Sequence, residues 1–371
     1  MTIFIYCAHG NYQYARTAMQ YGWMYGSQLV KATPAYHPQF VDQDWKNPDF
    51  ITYLARIKYY VPDYATITDL EHAEQLDMVL HQAEQVAPYV KQGIILIPKV
   101  NDIMNQLPES ILGKRIIIGY SVPSSYGGTH VPTWEFGTRP VHLLGGSPKK
   151  QFALMRYLNV VSLDNNYIAA ISRKFIMFYA KRSYHYLRDS IMNQLAHPDE
   201  PIACFTLSLM NMNAEYAGFG GIIRFAVPED LPHIKRIAAA YPSQLGFVNL
   251  ATLRDALSRH TLLVATLNEV VVGFVTYRPR KDGMNVIYEL ATSRAHLRQR
   301  IASGLLASVP QPTRVKTTVD NAPALALYLQ HGFQILSTEQ GRKRMLHVLE
   351  RPTTYPAIPL SKRNLCTLLQ A

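Results

Sequence analysis

The sequence has few cysteines and no long hydrophobic run, and each absence excludes a class of protein. Its three cysteines, Cys7, Cys204 and Cys366, are too scattered for a disulfide framework or a CxxC metal site, so each is expected to be a plain thiol. No apolar run approaches the ~18 residues that cross a bilayer. The segment MTIFIYCAHGNY also lacks the basic region and cleavage site of a signal peptide. We therefore expect a cytoplasmic protein with no membrane partner and no bound metal.

Charged residues are scarce, at 17% of the 371 residues, and they are distributed unevenly. Residues 1–210 contain 18 Lys+Arg and 16 Asp+Glu, a net charge of +2, whereas residues 211–371 contain 19 and 10, a net charge of +9. A basic half indicates a polyanionic partner such as nucleic acid, or the phosphates of a nucleotide cofactor. The alternative is that the charge only maintains solubility.

Short apolar runs alternate with helical patterns over the first ~195 residues, which is typical of a parallel sheet covered on both faces. The predicted strands have the sequences TIFIYC, QFVDQD, YATITDL, GIILIPKV, RIIIGYSV, VHLLGG and NVVSLDNN. About seven strands in this length predict an α/β fold, either a compact (β/α) barrel of the TIM type or an open doubly wound sheet. In both folds the chemistry lies at the carboxyl ends of the strands.

Acidic side chains follow three of these predicted strands. Asp42, Asp69 and Asp164 each stand where a strand ends. Any one of them is explained equally well as a helix N-cap, a common role for Asp between a strand and a helix. Because parallel strands bring their carboxyl ends to one rim, we expect the three carboxylates to lie together there.

The helical and strand periodicity fades around residues 197–220, and glycines accumulate at Gly218, Gly220 and Gly221. This pattern predicts four regions: a barrel over residues 1–196, a linker over 197–220, a second domain over 221–350 and a Pro-rich tail over 351–371. In the second domain, strands and helices follow an order that predicts a mixed, mostly antiparallel sheet.

The second domain resembles the GCN5-related N-acetyltransferase (GNAT) superfamily, which transfers acyl groups from acetyl-CoA or another acyl-CoA to amines. The family signature N-x-x-A-x-x-L-Y-x-x-x-G-F matches this chain at Asn321, Ala324, Leu327, Tyr328, Gly332 and Phe333. On this resemblance, the Tyr328 hydroxyl lies near the thiolate leaving group and protonates it. Asn321 contacts the cofactor arm.

The segment from Leu290 to Leu306 resembles the family's pyrophosphate-binding strand, loop and helix, in which a helix N-terminus receives phosphate. The resemblance assigns cofactor binding to Leu290, Ala291, Thr292, Arg298, Gln299, Arg300, Ile301, Ala302 and Ser303. Arg300 replaces the usual first glycine of the loop, so it either crowds the phosphate or binds it directly. Glu289 is either the general base of these enzymes or a surface carboxylate.

The first domain resembles the tRNA-guanine transglycosylases and the related phage 7-deazaguanine DNA transglycosylases. The carrying segment runs from Val141 through the HLLGGSP loop to Asn166. On this resemblance Asp164 is the nucleophile, Asp42 the general acid/base and Asp69 the acid that recognises the purine. The chain lacks the Cys3His zinc cluster of the tRNA enzymes, so the phage DNA enzymes are the nearer comparison.

The chemistry of base exchange explains these residue types. Cleavage of an N-glycosidic bond builds positive charge at C1′, which a carboxylate stabilises or traps, and a second carboxylate transfers a proton to the base. A base that leaves the stack is held by aromatic rings and polar groups. We predict that the substrate-binding residues are Ser121, Tyr126, Gly145, Gly146 and Asn165, with Tyr120, Trp134 and Tyr167 as further aromatic candidates.

The segment Arg173–Arg188 interleaves five basic residues with aromatics. That composition is typical of a surface that follows a nucleic-acid backbone and stacks its bases. A helix that covers the barrel with its basic residues reaching solvent explains the segment nearly as well.

Together these features predict an enzyme that exchanges a purine or deazapurine base in nucleic acid, more readily DNA than tRNA, and acylates an amine. Three alternatives stay open: a DNA glycosylase that excises a modified base, an acyltransferase of protein or small-molecule amines with a recognition domain, and a nucleic-acid-binding protein with two degenerate folds.

Overall fold

The computed structural model describes residues 2–7, 11–30, 33–125, 127–190 and 199–354. Within these residues the chain divides into two compact units. The first unit contains residues 2–19 and 23–167, and the second contains residues 20–22 and 168–354.

Eight parallel strands close into a barrel-like sheet in the first unit. The strands are β1 (Ile3–Cys7), β2 (Met24–Gln28), β3 (Phe40–Asp42), β4 (Tyr64–Thr66), β5 (Gly93–Leu96), β6 (Ser110–Ile111), β7 (Lys114–Ser121), β8 (Val141–Leu144) and β9 (Val160–Asp164). The parallel strands pair in the order β1-β2-β3-β4-β5-β7-β8-β9, and β9 pairs with β1 to close the sheet. The short strand β6 pairs antiparallel with β7.

The barrel does not show the regular strand–helix alternation expected of a TIM-type fold. Its helices are α1 (Tyr12–Gln20), α2 (Phe50–Tyr60), α3 (Leu76–Val86) and α4 (Pro148–Leu154). Among the described residues, the connections after β2, β5 and β7 contain no α-helix. The last two contain 3-10 turns at Met104–Gln106 and Thr133–Phe136. The parallel barrel agrees with the sequence, whereas the TIM-type assignment stays a prediction.

Hydrophobic side chains that alternate along the strands fill the barrel interior. Ile5, Met24, Phe40, Ile95 and Ile117 are nearly completely buried there. Isoleucine and phenylalanine favour strands and pack well on a pleated surface. The interior is therefore mainly a hydrophobic core, and Asp42 and Asp164 stand at the ends of their strands.

A seven-stranded mixed sheet forms the centre of the second unit, with the order β12-β13-β14-β15-β16-β18-β17. Every neighbouring pair is antiparallel except β15 with β16, as the sequence predicts. The strands are β10 (Met177–Ala180), β11 (Ser183–Tyr186), β12 (Ile222–Phe225), β13 (Leu262–Leu267), β14 (Val270–Pro279), β15 (Asn285–Thr292), β16 (Thr313–Thr318), β17 (Gln334–Gln340) and β18 (Met345–Arg351). The helices are α5 (Tyr167–Phe175), α6 (Glu200–Tyr216), α7 (Leu231–Ala239), α8 (Pro242–Leu245), α9 (Leu250–Ser258), α10 (Ile301–Ala307) and α11 (Ala322–Gln330).

The predicted linker at 197–220 is wrong in its main part, because residues 200–216 form the helix α6. This helix packs against β10, β12 and α10, and most of its side chains are buried. A helix that is buried on all sides has no polar face, so the 3.6-residue periodicity that reveals surface helices is absent. The boundary between the units accordingly lies at Tyr167 and Ile168, about 30 residues before the predicted one.

No helix in the described part of the chain has the length and hydropathy needed to cross a membrane. The tail from residue 355 onward, with Cys366, lies outside the described residues. Arg351, which the sequence assigned to the tail, is instead the last residue of β18, and its buried guanidinium donates to the carbonyls of Leu306 and Val309 at 3.1 Å.

Candidate active sites in the two units

The three predicted carboxylates Asp42, Asp69 and Asp164 line one cleft in the first unit, with a volume of about 760 Å³. Asp42 ends β3, Asp164 ends β9, and Asp69 follows β4. The parallel strands bring these positions to one rim, as expected from the direction of the chain. The helix-cap alternative does not apply to Asp42, since Asp49 caps α2 by accepting a hydrogen bond from the Thr52 amide at 3.1 Å.

Asp164 is held in place by hydrogen bonds from the loop that follows β8 and from α4. Its Oδ1 accepts a hydrogen bond from the Gly145 amide at 2.8 Å. The Gln151 side chain donates to the backbone carbonyls of both Asp164 and Gly145, at 2.7 and 2.8 Å. With 16% of its side chain exposed, Asp164 is accessible from the cleft while its orientation is fixed by the fold.

A buried histidine, His142, lies next to the Asp164 carboxylate. The His142 side chain is fully buried, and its Nε2 lies 3.5 Å from Asp164 Oδ1. Its other nitrogen, Nδ1, lies 2.8 Å from the Ser162 hydroxyl, and the Phe40 ring stacks against it. No sequence pattern indicated this contact, because His142 lies within the strand β8 and looks like an ordinary core position.

Asp42 is poised to exchange a proton near neutral pH. Burial, together with the nearby charge of Asp164, raises the pKa of Asp42 to about 7, although hydrogen bonds from Gln28 and Thr66 lower it. Gln28 Nε2 donates to Oδ2 at 3.1 Å, and the Thr66 hydroxyl donates to Oδ1 at 2.9 Å. A carboxyl group whose pKa is close to the ambient pH is an efficient general acid and base.

Asp69 lies in a different electrostatic environment on the same rim. Lys99 Nζ is 2.9 Å from Asp69 Oδ2 and 3.7 Å from Glu71 Oε1. Burial raises the pKa of Asp69, and the Lys99 ammonium opposes that effect. Beside it, the buried Gln43 Nε2 lines the cleft without a hydrogen-bond partner among the described residues, while Gln43 Oε1 accepts from Thr68 at 3.0 Å.

The predicted substrate-binding residues divide into three groups. Ser121, Gly145 and Gly146 line the cleft. Asn165 does not, since it is fully buried and donates a hydrogen bond to Gln151 at 2.8 Å, and so it supports the loop instead. Tyr126 lies outside the described residues.

The aromatic lining of the cleft differs from the expectation. Tyr120 is buried against Phe136, and Trp134, although 75% exposed, does not line the cleft. Trp45 does line it and is 55% exposed. The sequence did not reveal this ring, because Trp45 lies in the loop after β3, where no periodicity indicates which side chains face the cleft.

In the second unit, the strands β15 and β16 diverge and leave part of a strand edge unpaired. They pair only at Asn285, Val286 and Ile287. Beyond this point, the residues up to Thr292 keep their hydrogen bonds to β14 alone. The backbone groups of Leu290, Ala291 and Thr292 on the other edge are therefore free of β16, and an extended amide-containing ligand fits such an edge.

Glu289 follows a β-bulge that changes the direction of its side chain. The register of β14 with β15 shifts after Thr276, which leaves Tyr288 without a partner. Glu289 is half-buried and contacts the Thr276 hydroxyl. Burial raises its pKa, and the Arg278 charge lowers it.

Tyr328 is buried in the last turn of α11, and the centre of its ring lies 5.4 Å from that of Phe333. Burial raises the pKa of its hydroxyl to about 12, so the phenol keeps its proton at neutral pH. Asn321 is the N-cap of α11, and its side-chain oxygen accepts from the Ala324 amide at 3.4 Å. The helix thus assigns the asparagine a structural role in addition to the predicted contact with the cofactor arm.

Two residues of the loop before α10 have a left-handed backbone conformation. Arg298 and Arg300 have φ of 63° and 59°. Glycine adopts this conformation most easily, so Arg300 costs about 1 kcal/mol at its position. The first turn of α10 has no side-chain cap. Ala291, Ile301 and Ser303 are buried.

Two family models match the chain. A model described as "Family of unknown function (DUF6610)" matches residues 18–217, and a model of the acetyltransferase (GNAT) domain matches residues 258–335. The second match confirms that the second unit contains an acetyltransferase domain. The transglycosylase resemblance of the first unit has no such match and stays a prediction.

The solved structures similar to this chain include acetyltransferases. The ribosomal-protein-S18-alanine N-acetyltransferase from Escherichia coli is 17% identical, with a TM-score of 0.33, and the match covers 38% of this chain and 99% of that one. The yncA protein from Salmonella typhimurium, a putative acetyltransferase solved with acetyl-CoA, is 18% identical, with a TM-score of 0.32 and coverage of 38% and 98%. Ard1 from Thermoplasma volcanium is 22% identical, with a TM-score of 0.32 and coverage of 35% and 96%. No curated protein matches the chain.

Proposed function

Because the chain belongs to the family of unknown function DUF6610, whose model covers more than half of its residues, we propose its function from the geometry of its two sites. The first unit exchanges a purine or deazapurine base at an N-glycosidic bond of nucleic acid, preferentially DNA. The second unit transfers an acyl group from acetyl-CoA or another acyl-CoA to an amine.

The observation that supports base exchange is the presence of three carboxylates in one cleft with three different surroundings. Asp164 is oriented by Gly145, Asp42 has a pKa of about 7, and Asp69 pairs with Lys99. Environments that separate the pKa values of neighbouring acids assign them different roles.

In the proposed reaction the Asp164 carboxylate attacks C1′ of the target nucleotide. The bond between C1′ and the base nitrogen breaks, its electron pair goes to the base, and the neutral Asp42 carboxyl donates a proton to it. A nitrogen of the incoming base then attacks C1′ and displaces Asp164. Asp42 takes up the proton that this nitrogen loses, which restores both residues.

In the proposed reaction Asp69 and Gln43 bind the edge of the base. The Asp69 carboxylate accepts hydrogen bonds, and Gln43 Nε2, which has no partner within the described parts of the chain, donates one. Trp45, exposed at the mouth of the cleft, offers a face on which an unstacked base packs.

Acyl transfer is supported by the acetyltransferase-domain match and by four features of the second unit. The free edge of β15 and the uncapped first turn of α10 fit the amide-containing arm and the phosphates of an acyl-CoA, which supplies an activated thioester. Glu289, with its raised pKa, takes a proton from the attacking amine. The Tyr328 phenol, protonated at neutral pH, donates one to the departing thiolate.

Nucleoside mass spectrometry tests base exchange in DNA from cells that express the wild type or Asp164→Ala. We expect a modified nucleoside only with the wild type. Abasic sites without a new nucleoside would instead assign excision to the cleft. Identical profiles in both strains, without abasic sites, would refute the proposal for the first unit and leave the acetyltransferase half to be tested separately.

A further inference from the structure

A basic hairpin in the second unit combines positive charge with exposed rings. We define it as residues 173–189, which include the end of α5, the strands β10 and β11 and the turn that follows. Its charged residues are five cations, Arg173, Lys174, Lys181, Arg182 and Arg188, and one carboxylate, Asp189, which give a net charge of +4.

The turn of the hairpin holds two cations in a conformation that glycine and asparagine usually adopt. Lys181 and Arg182 join β10 to β11 with φ of 48° and 59°. Two left-handed residues in a two-residue turn match the twist of the strands, which is why Asn-Gly is preferred there. Lys-Arg adopts this conformation only at a steric cost that glycine does not have. The strained turn places two basic residues at the tip, and such strain often accompanies function.

Two large aromatic rings are exposed at the opposite end of the hairpin. Phe175 is 47% exposed and Tyr186 is 39% exposed. Each has a cation over its face: Lys174 Nζ lies 5.2 Å from the Phe175 ring and Arg188 Cζ lies 4.9 Å from the Tyr186 ring. The Leu187 amide donates to the Ile176 carbonyl at 3.0 Å, which holds the two segments side by side.

The cations next to these rings are only weakly neutralised. Arg188 Nε lies 3.6 Å from Asp189, but both side chains are largely exposed, so solvent screens the pair. At the tip of the hairpin, Arg182 pairs with Glu215 at 2.8 Å. Among the residues that the structure describes, Lys181 has a single partner, the Asn268 side-chain oxygen at 3.5 Å. Lys174, Lys181 and Arg188 thus remain available to an anion.

A cleft of about 910 Å³ runs along the hairpin, and its walls include Lys181, Tyr184, His185 and Tyr186. The His185 ring stacks on Phe178, with 5.5 Å between the ring centroids. The cleft thus has aromatic rings and the Lys181 cation in its walls, and Phe175, Lys174 and Arg188 belong to the same hairpin. Acidic groups also line the cleft, at Asp189 and Glu269, so charge alone does not define its partner.

We infer that the basic hairpin binds single-stranded nucleic acid, with bases stacked on Phe175 and Tyr186 and phosphates bound by Lys174, Lys181 and Arg188. Exposed rings beside cations match the alternation of base and phosphate along a strand. A duplex keeps its base faces inside the stack, and an anionic membrane or acidic protein would be attracted by charge without needing the rings. The inference rests on the proposed function in taking the nucleic acid as the partner.

Fluorescence anisotropy with a fluorescein-labelled twelve-nucleotide dT strand and the full chain tests this inference. Replacing both rings, Phe175→Ser with Tyr186→Ser, is expected to weaken binding about 10-fold or more, because each stacked base contributes separately. The variant Phe175→Tyr with Tyr186→Phe keeps the rings and is expected to bind like the wild type. The matched control is Phe247→Ser, since Phe247 is 85% exposed and has Lys235 over its ring at 4.8 Å.

Charge is tested separately through the salt dependence. Lys174→Ala with Arg188→Ala is expected to reduce the slope of log Kd against log salt by about 1.4, since each phosphate contact contributes ~0.7 on single strands. Unchanged affinity after loss of both rings in a variant with a wild-type melting curve would overturn the inference. Equal affinity for a duplex or for vesicles with phosphatidylserine would also overturn it. Binding in an Asp164→Ala background separates its failure from that of base exchange.

Discussion

Asp42 in the first unit and Glu289 in the second show how neighbours set the role of a buried carboxyl group. Burial raises the pKa of both. The neighbouring charge then acts in opposite directions: the carboxylate of Asp164 raises the pKa of Asp42 further, whereas the guanidinium of Arg278 lowers that of Glu289. The carboxyl group supplies the atom that binds the proton, and the neighbouring charge sets the pKa and hence the pH at which the group exchanges that proton.

The two sites also differ in what orders them. Hydrogen bonds from one strand end to the next, such as Gly145 to Asp164, fix the acids of the barrel. A register shift in β15 and the separation of β15 from β16 create the site of the second unit. Substitutions that remove a charge should therefore affect the barrel most, and substitutions that change backbone or proton donors should affect the acetyltransferase most.

Asp164→Ala should have the largest effect and should leave the second unit unchanged. We expect base exchange to fall about 10³-fold or more, because no other carboxylate is oriented by Gly145 at C1′. Acetyl transfer, measured by release of free thiol, should stay at the wild-type rate. Asp77→Ala, an exposed acid of α3, is the control and should retain both activities. Full base exchange in Asp164→Ala would assign the nucleophile elsewhere.

Tyr328→Phe should slow acetyl transfer and leave base exchange unchanged, and its effect should be smaller than that of Asp164→Ala. Loss of the proton donor should lower kcat for acetyl transfer about 10²-fold with little change in the KM for acyl-CoA. Since burial raises the pKa of Tyr328 to about 12, activity should show no loss from tyrosine ionisation below pH 10. A variant as fast as the wild type would contradict the assignment. Base exchange by the same variant serves as the internal control.

Asp42→Asn should change stability with a definite dependence on pH. The pKa of Asp42 rises from 3.8 to about 7 on folding, so the folded chain binds more protons than the unfolded one between these values. The stability that the protonated Asp42 carboxyl group contributes to the folded chain is fully present below pH 3.8 and is lost as the pH rises through 7. The variant should thus be more stable than the wild type at pH 8, by roughly 1–3 kcal/mol, and similar to it at pH 4.

Urea denaturation at the two pH values measures this difference, and Asp77→Asn, at an exposed position of α3, is the matched control. The same substitution should also remove the change near pH 7 from the pH–rate profile of base exchange. If both pH effects survived in Asp42→Asn, the group that titrates there would be another one.

Arg300→Gly should have the smallest effect, a gain of about 1 kcal/mol in the free energy of unfolding. Glycine adopts the left-handed conformation at this position without the steric cost of a side chain. Arg254→Gly, at an exposed position inside α9, should instead lose about 1 kcal/mol. Binding of acetyl-CoA by calorimetry then separates the alternatives for Arg300: weaker binding in Arg300→Gly means that the guanidinium contacts phosphate, and stronger binding means that it crowds it.

The sequence predicted much of the fold because its signals were local. Apolar runs located seven of the eight parallel barrel strands, and the N-x-x-A-x-x-L-Y signature located α11. The strand β2 was missed because its sequence MYGSQ contains no β-branched residue. The helix α6 was missed because complete burial removes the polar face on which periodicity depends. Asn165 was misassigned for a related reason: an amide next to a strand end looks the same in sequence whether it turns toward the cleft or toward Gln151.

By itself, the sequence determined which acids stand at strand ends and which residues form the acetyltransferase signature, since both depend on spacing along the chain. Only the tertiary structure decided that Gln28, Thr66 and Asp164 surround Asp42 and that His142 stands behind Asp164. These contacts join residues up to ~120 positions apart through the closure of the barrel. The pKa of a carboxyl group depends on the charges and the desolvation that such packing produces, and no local pattern encodes them.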